Sequence, residues 1–453
     1  MLKAAPSENV VSGSGAQTSA SEPAHERARA ARRVALASAV GTTIEWYDFF
    51  IYGTAAALVF GPQFFSRAST LGGTLAAFAT FAVGFVARPL GGIVMGHFGD
   101  RIGRKSMLVS SLMLMGAATF SIGLLPTYAQ IGAWAPLLLV LLRFTQGFAL
   151  GGEWAGAVLM AVEHAPQARR GLFGSFVALG LPFGIILSNI VFLLVSSVTT
   201  ETQFARWGWR IPFLASAVMV AVGLFVRLRV DESPLFADLR RAGSERRLPL
   251  LDVIRRDTRT VLLATGSYVG IGGLGYMVIV YFVSYANRVL GLPLPTVLVL
   301  VLAAAVVLAA SILGFGAWSD RLGRRRVMGW GCTALVAWSA VFFPLADTGS
   351  VPAIALSIVV MMTLQGAYLG PQPAVFAELF DTSVRYSGAS LSLQLGTILG
   401  GGLVPFVATA LYGVAGSSWP VTVYAVGLAS ISLLCVRGLQ ETYRRDLSES
   451  PPS

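Results

Sequence analysis

The chain has 453 residues, of which 55% are hydrophobic and only 12% charged, with a mean hydropathy of +0.71. Soluble domains carry about 25% charged residues, so too little polar surface is present for a water-soluble globule, and a polytopic membrane protein is implied. The net charge of +11, from 33 Lys and Arg against 22 Asp and Glu, suits either nucleic acid or the basic loops of a membrane protein, and its distribution decides between them. Cys332 and Cys435 both lie in apolar runs, which excludes a disulfide framework.

Residues 1–33 are rich in Ala, Ser and Glu and end on Arg27, Arg29, Arg32 and Arg33. They lack a short apolar core with a cleavage site, so they are expected to be a disordered cytoplasmic tail and not a signal peptide. A helix crosses the hydrocarbon in about 20 residues, and the chain offers twelve such runs. The first six are Ala35–Phe60, Leu71–Gly96, Ser106–Leu125, Ala135–Ala161, Gly171–Val198 and Trp209–Leu228. The last six are Thr260–Val289, Leu294–Trp318, Val327–Leu345, Val351–Leu379, Ser387–Val414 and Pro420–Leu439. The expected organisation is a bundle over 34–228, a polar cytoplasmic linker over 229–259, a second bundle over 260–439 and a tail over 440–453. Within the linker, Pro249–Arg256 reads as a short helix on the inner membrane surface.

With the N-terminus cytoplasmic, only Arg67, Arg206, Arg210 and Arg288 fall on the outer side, and Arg88 and Arg143 fall inside spans. Every other Lys and Arg lies in cytoplasmic tails, loops or span ends, which fixes the expected orientation. Basic charge spread over short loops also excludes a nucleic-acid surface. Trp207 and Trp209 suit an outer interfacial belt.

The chain echoes itself six spans apart. Asp100-Arg101-Ile102-Gly103-Arg104-Lys105 after the second span answers Asp320-Arg321-Leu322-Gly323-Arg324-Arg325 after the eighth. Gln146-Gly147-Phe148-Ala149-Leu150-Gly151 answers Gln365-Gly366-Ala367-Tyr368-Leu369-Gly370, and Glu163 with Arg170 answers Glu378 with Arg385. Parallel duplication of this kind builds transporters whose site lies between the halves.

These paired loops resemble the signature of the major facilitator superfamily. Glu45-Trp46-Tyr47-Asp48-Phe49, Arg88-Pro89-Leu90-Gly91-Gly92, Gly151-Gly152-Glu153-Trp154 and Trp207-Gly208-Trp209-Arg210-Ile211-Pro212-Phe213 narrow the likeness to the metabolite:proton symporter family, from about Val34 to Leu439. The resemblance implies an all-α fold of twelve transmembrane helices in two six-helix bundles. It also implies a multi-pass inner-membrane protein that takes up a small polar metabolite with protons. Members of that family carry shikimate, di- or tricarboxylates, or proline and betaine. The tail after Leu439 is too short for the coiled coil of the osmosensing members. The resemblance also lends weight to Arg88 and Arg210 as substrate-binding residues. The chain is not expected to be an enzyme: no metal cluster, P-loop or nucleophile constellation is present, and no cofactor is expected. Its partners are a small-molecule substrate, protons and the lipid bilayer, and a monomer is expected. Two alternatives are a proton-coupled exporter and an uncoupled facilitator. Exporters carry a Gly-Pro dipeptide in span five, which Gly180-Leu181-Pro182-Phe183-Gly184 lacks.

Charged groups inside spans are costly and therefore functional candidates. At about 1.5 Å per residue, Glu45, Arg88 and Glu153 fall at one level near the midplane. Asp48 lies one turn further out, and Arg143, Gln146 and Glu153 fall within a narrow arc. Glu45, Asp48 and Glu153 are the candidate proton carriers, with Arg88 and Arg143 as partners or carboxylate anchors. His25, His97 and His164 sit at or outside the inner surface and are not available for this. The last six spans offer neutral groups, among them Tyr268 and Gln372, and of these Tyr276, Gln365, Tyr368 and Gln394 are the candidate substrate contacts. Asp100, Arg101, Gly103, Arg104, Asp320, Arg321, Gly323 and Arg324 are gating candidates because a latch needs an acid, basic neighbours and tight turns. Glu163, Arg170, Glu378 and Arg385 join them at the inner helix ends.

Overall fold

The structure, a computed structural model, describes residues 24–102, 104–163, 165–228, 253, 257–381, 384–443 and 445. Among these, side chains are described except at 24–38, 96–102, 104–106, 108, 152, 153, 155, 160 and 226–228. Hydrocarbon offers the backbone no hydrogen-bond partner, so a chain this apolar must satisfy each N–H within a helix. The described residues form helices grouped into twelve spans, and none forms a strand. Nine of the helices are by themselves long and apolar enough to cross a bilayer, with shorter apolar ones at Val109–Leu124 and Trp134–Ala149.

Span one runs Ala24–Ala55 and continues through a π-helix, Ala56–Phe60, into Gly61–Phe64. It begins inside the Ala-, Glu- and Arg-rich stretch, whose residues are good helix formers. Span two is Thr70–Ile102 and span three Arg104–Leu124. Span four is Trp134–Ala149, a 3-10 turn at Leu150–Gly152, then Glu153–Glu163. Span five joins Arg170–Ala178 to Gly180–Val198, and span six is Ile211–Leu228. The second half repeats the plan. Span seven is Thr258–Tyr276, a π-helix Met277–Tyr281, and Phe282–Arg288. Spans eight and nine are Leu294–Leu322 and Arg324–Ala346. Span ten is Val351–Leu369 with Gln372–Leu379, and span eleven is Arg385–Thr397, a π-helix Ile398–Gly402, and Val404–Ala415. Span twelve is Trp419–Gly438. Irregular turns thus recur at matching places in spans one and seven and in spans four and ten. Such turns are often placed at functional sites.

Spans two and four are pressed together along a glycine seam. A Cβ on Gly91 would lie 1.7 Å from the carbonyl oxygen of Phe148, and one on Gly147 would lie 1.9 Å from that of Gly84. Only glycine permits this approach, which replaces the hydrophobic drive that lipid cannot supply. Trp209 departs from the expected interfacial belt. It is fully buried among Phe60, Phe64 and Phe213, with ring centroids 5.8–6.0 Å away, whereas Trp207 is exposed. The 3-10 turn Gly208–Arg210 at the root of span six places Trp209 inward, a local bend that span counting does not register. The helix expected at Pro249–Arg256 lies outside the described residues apart from Val253, which is helical and buried.

Candidate transport site

A cavity lies between the two halves. Glu45 and Trp46 of span one, Arg88 of span two and Trp154 of span four line it from the first half. Tyr268 of span seven, Gln372 of span ten, and Gln394 and Thr397 of span eleven face them from the second. Gln372 opens the helix that restarts after Gly370 and Pro371, and Gln394 and Thr397 are one turn apart on span eleven. The Nε atom of Arg88, the Nε2 atom of Gln372 and the Oε1 atom of Gln394 are buried without a hydrogen-bond partner among the described residues. Buried polar groups are ordinarily satisfied, so these three atoms mark where a polar ligand fits.

Arg88 is held by aromatic rings, its guanidinium carbon lying 4.5 Å from the Phe49 centroid and 4.8 Å from that of Phe85. Arg143 sits behind, fully buried. It is packed on Phe49, Tyr52 and Phe81 at 4.1–4.8 Å and donates to Gln146 Oε1 at 3.3 Å. Gln146 donates to Thr119 Oγ1 at 2.7 Å, and Thr119 donates to Asp48 Oδ2 at 3.2 Å. Asp48 therefore belongs to a polar thread inside the first bundle, while Glu45 faces the cavity. The single arc expected for Arg143, Gln146 and Glu153 is broken by the 3-10 turn at Leu150–Gly152. Arg143 and Gln146 remain together. The side chain of Glu153 lies outside the described residues, and its backbone opens the restarted helix just as Gln372 does in the second half.

The other candidates are scattered. Tyr276 is buried against Phe49, Phe50, Phe81 and Phe85, with centroids 5.3–6.2 Å away, an aromatic plug across the halves. Tyr368 shares a 2.7 Å hydrogen bond with Ser267. Gln365 is buried beside Gly275. Arg210 lies beyond the cavity, donating to the carbonyls of Gly123 and Leu125 at 3.2 and 2.6 Å, where a cation satisfies the end of span three.

Both ends of the interface are bridged. At one end, Asp320 accepts from the backbone N–H groups of Gly171 and Leu172 at 2.8 and 3.0 Å. A carboxylate there meets the positive N-terminus of span five. Arg324 pairs with Asp320 at 2.7 Å and donates through Nε and Nη2 to Glu378 at 3.1 and 3.0 Å. Glu163 pairs across the halves with Arg385 at 3.4 Å, and Arg170 donates to the Arg445 carbonyl at 2.9 Å. Gly323 takes φ +101°, a value that favours glycine, and Arg321 is exposed. The matching side chains of Asp100, Arg101 and Arg104, and all of Gly103, lie outside the described residues. At the opposite end, Arg288 donates to Thr74 Oγ1 at 2.7 Å and to the Leu58 carbonyl at 3.3 Å. Sequence reasoning missed Arg288 as a bridge and passed over Gln372 and Thr397. The signal for Gln372 was present, since it stands in the repeat where Glu153 stands.

Residues 38–393 match the Major Facilitator Superfamily. The chain is 41% identical over 412 residues to the inner membrane metabolite transport protein YhjE of Escherichia coli (strain K12), covering 90% of this chain and 92% of that one. It is 40% identical over 418 residues to the shikimate transporter of the same organism, covering 91% and 95%. A solved structure of the proton:xylose symporter XylE, bound to 6-bromo-6-deoxy-D-glucose, overlays with a TM-score of 0.73 at 16% identity, over 93% of this chain and 98% of that chain. The protein is a multi-pass membrane transporter and not an enzyme, and the chain belongs to the major facilitator superfamily.

Proposed function

We propose that the protein is a proton-coupled symporter that takes up a small organic acid by alternating access, with the Asp320 end facing the cytoplasm. The observation that carries this reading is the cavity that sets Glu45 and Arg88 of one half opposite Tyr268, Gln372 and Gln394 of the other. Arg88 receives the carboxylate of the substrate, since its guanidinium offers a planar pair of donors. Glu45 takes the proton, with Asp48 and Glu153 as the remaining acids of the first half. Protonation neutralises the acid so that the halves close without burying a charge. The neutral side chains of the second half read the rest of the molecule.

The orientation is supported by the basic loops, and the similarity to a shikimate transporter supports a hydroxylated ring acid as substrate. Asp320, Arg324, Glu163 and Arg385 latch the cytoplasmic end, and Asp100 with Arg104 do the same for span eleven by the repeat. The test is uptake of labelled shikimate, 2-oxoglutarate, citrate and betaine into proteoliposomes with and without an imposed proton gradient. Accumulation of one acid above equilibrium only with the gradient is expected. Equal filling with or without it would leave the uncoupled facilitator standing.

A further inference from the structure

Gln394 does two things at once. Its Nε2 donates to the carbonyl oxygen of Gly151 at 2.9 Å, a bond between span eleven of one half and span four of the other. Its Oε1 is buried without a partner among the described residues, and the side chain lines the cavity. The amide orientation follows from chemistry, because a carbonyl oxygen accepts and only the NH2 group donates to it. Gly151 is itself clamped onto span two. A Cβ there would lie 2.1 Å from the Arg88 carbonyl oxygen and 2.2 Å from the Gly92 nitrogen. The strap from Gln394 therefore bears on the stretch of backbone that carries the cavity arginine.

We infer that Gln394 is a positioning residue that ties substrate occupancy to closure of the Asp320 end, and that it selects substrates carrying a hydrogen-bond donor opposite their carboxylate. This rests on the reading of Arg88 as the carboxylate anchor. With the acid at Arg88, a hydroxyl or amine of the same molecule reaches Gln394 Oε1 and satisfies an acceptor that is otherwise buried at a cost. The amide is then held at both ends, by the ligand and by Gly151, which fixes span eleven against span four. Opening the Asp320 end must break the Gly151 bond and strand the donor. A substrate without a donor, such as a fully methylated betaine or a ring acid stripped of hydroxyls, leaves Oε1 unsatisfied and the strap looser.

The test uses the full chain in a Cys332→Ser/Cys435→Ser background. Binding is compared for shikimate and 1-cyclohexene-1-carboxylate, which lacks the ring hydroxyls, and for proline and glycine betaine. Spin labels on cysteines at Ala168 and Arg326 report the width of the Asp320 end. Gln394→Ala is expected to lose at least about tenfold of the preference for the donor-bearing partner of the bound pair, and to shift the label distances outward even without ligand. Gln394→Glu, measured at a pH where its carboxylate is ionised, keeps an acceptor and the shape but cannot donate to Gly151, so it should shift the distances while retaining the preference. Distances unchanged in both variants, or a preference unchanged in Gln394→Ala, overturn the inference. Should the wild type bind none of the four compounds, the acid-substrate reading fails, and the label distances still decide whether Gln394 straps the halves.

Discussion

Arg88 and Arg143 press on one ring: the guanidinium carbons lie 4.5 and 4.1 Å from the centroid of Phe49. A ring face attracts a cation, so Phe49 is shared by two like charges. The two arginines nonetheless have different work. Arg88 lines the cavity, while Arg143 is closed in by Tyr52, Phe81 and Gln146.

Replacing each by Lys separates them. Arg88→Lys is expected to weaken an acid substrate about tenfold, because an ammonium cannot form the two-pronged contact, with the melting temperature little changed. Arg143→Lys is expected to lower the melting temperature and yield, since the shorter head group leaves Gln146 and the Phe81 carbonyl without their donor. Transport KM and thermal unfolding in detergent check the two outcomes. A KM effect equal in both variants would contradict the division.

Glu45 and Asp48 should also part. Glu45→Gln is expected to abolish accumulation driven by a proton gradient yet retain exchange of internal for external substrate, which needs reorientation only in the loaded state. Asp48→Asn keeps an oxygen for Thr119 and should keep gradient-driven accumulation at a reduced rate. Accumulation persisting in Glu45→Gln would move the proton to another acid, with Glu153→Gln the next variant to measure.

At the Arg288 end, a Cβ on Gly413 would approach the Leu71 side chain to 2.7 Å. Cysteines at Leu71 and Gly413, in a background without Cys332 and Cys435, are expected to cross-link on mild oxidation and to stop uptake, with activity returning on reduction. Arg288→Ala should reduce the cross-linked fraction several-fold, since the bonds to Thr74 and Leu58 are lost. A cross-linked protein that still transports would show that this end does not open.

The seam between spans two and four makes a stability prediction. Gly91→Ala is expected to cost about 3 kcal/mol or more, as an overpacked contact, because its Cβ would fall 1.7 Å from a backbone oxygen. Gly427→Ala, whose Cβ would meet nothing within 4 Å, is the matched control and should be neutral. Chemical or thermal unfolding of the two variants is the comparison.

The twelve spans and the repeat were legible because a bilayer allows only long apolar helices and because the Asp320 loop carries an uncommon combination of residues. Glu45 and Arg88 were legible because charge is rare at mid-depth. Gln394 stood among many neutral groups that depth could not rank. The breaks at Leu150–Gly152 and Gly370–Pro371 were not legible as breaks. Depth and arc arithmetic assumes a continuous 3.6-residue period, and one 3-10 turn rotates everything beyond it. Trp209 was misplaced for the same reason, a short turn at a span end. The bond from Arg288 to Thr74 joins residues far apart in the chain, and no local spacing announces it.

Spans two and four meet backbone to backbone at Gly84, Gly91, Gly92, Gly147 and Gly151, without side chains to act as cushions. A joint of that kind has no slack. Gly151 cannot move toward span two without meeting the backbone of Arg88 and Gly92. Two slender helices become one stiff plate, and a plate can be levered from its edge where a pair of independent rods would only flex.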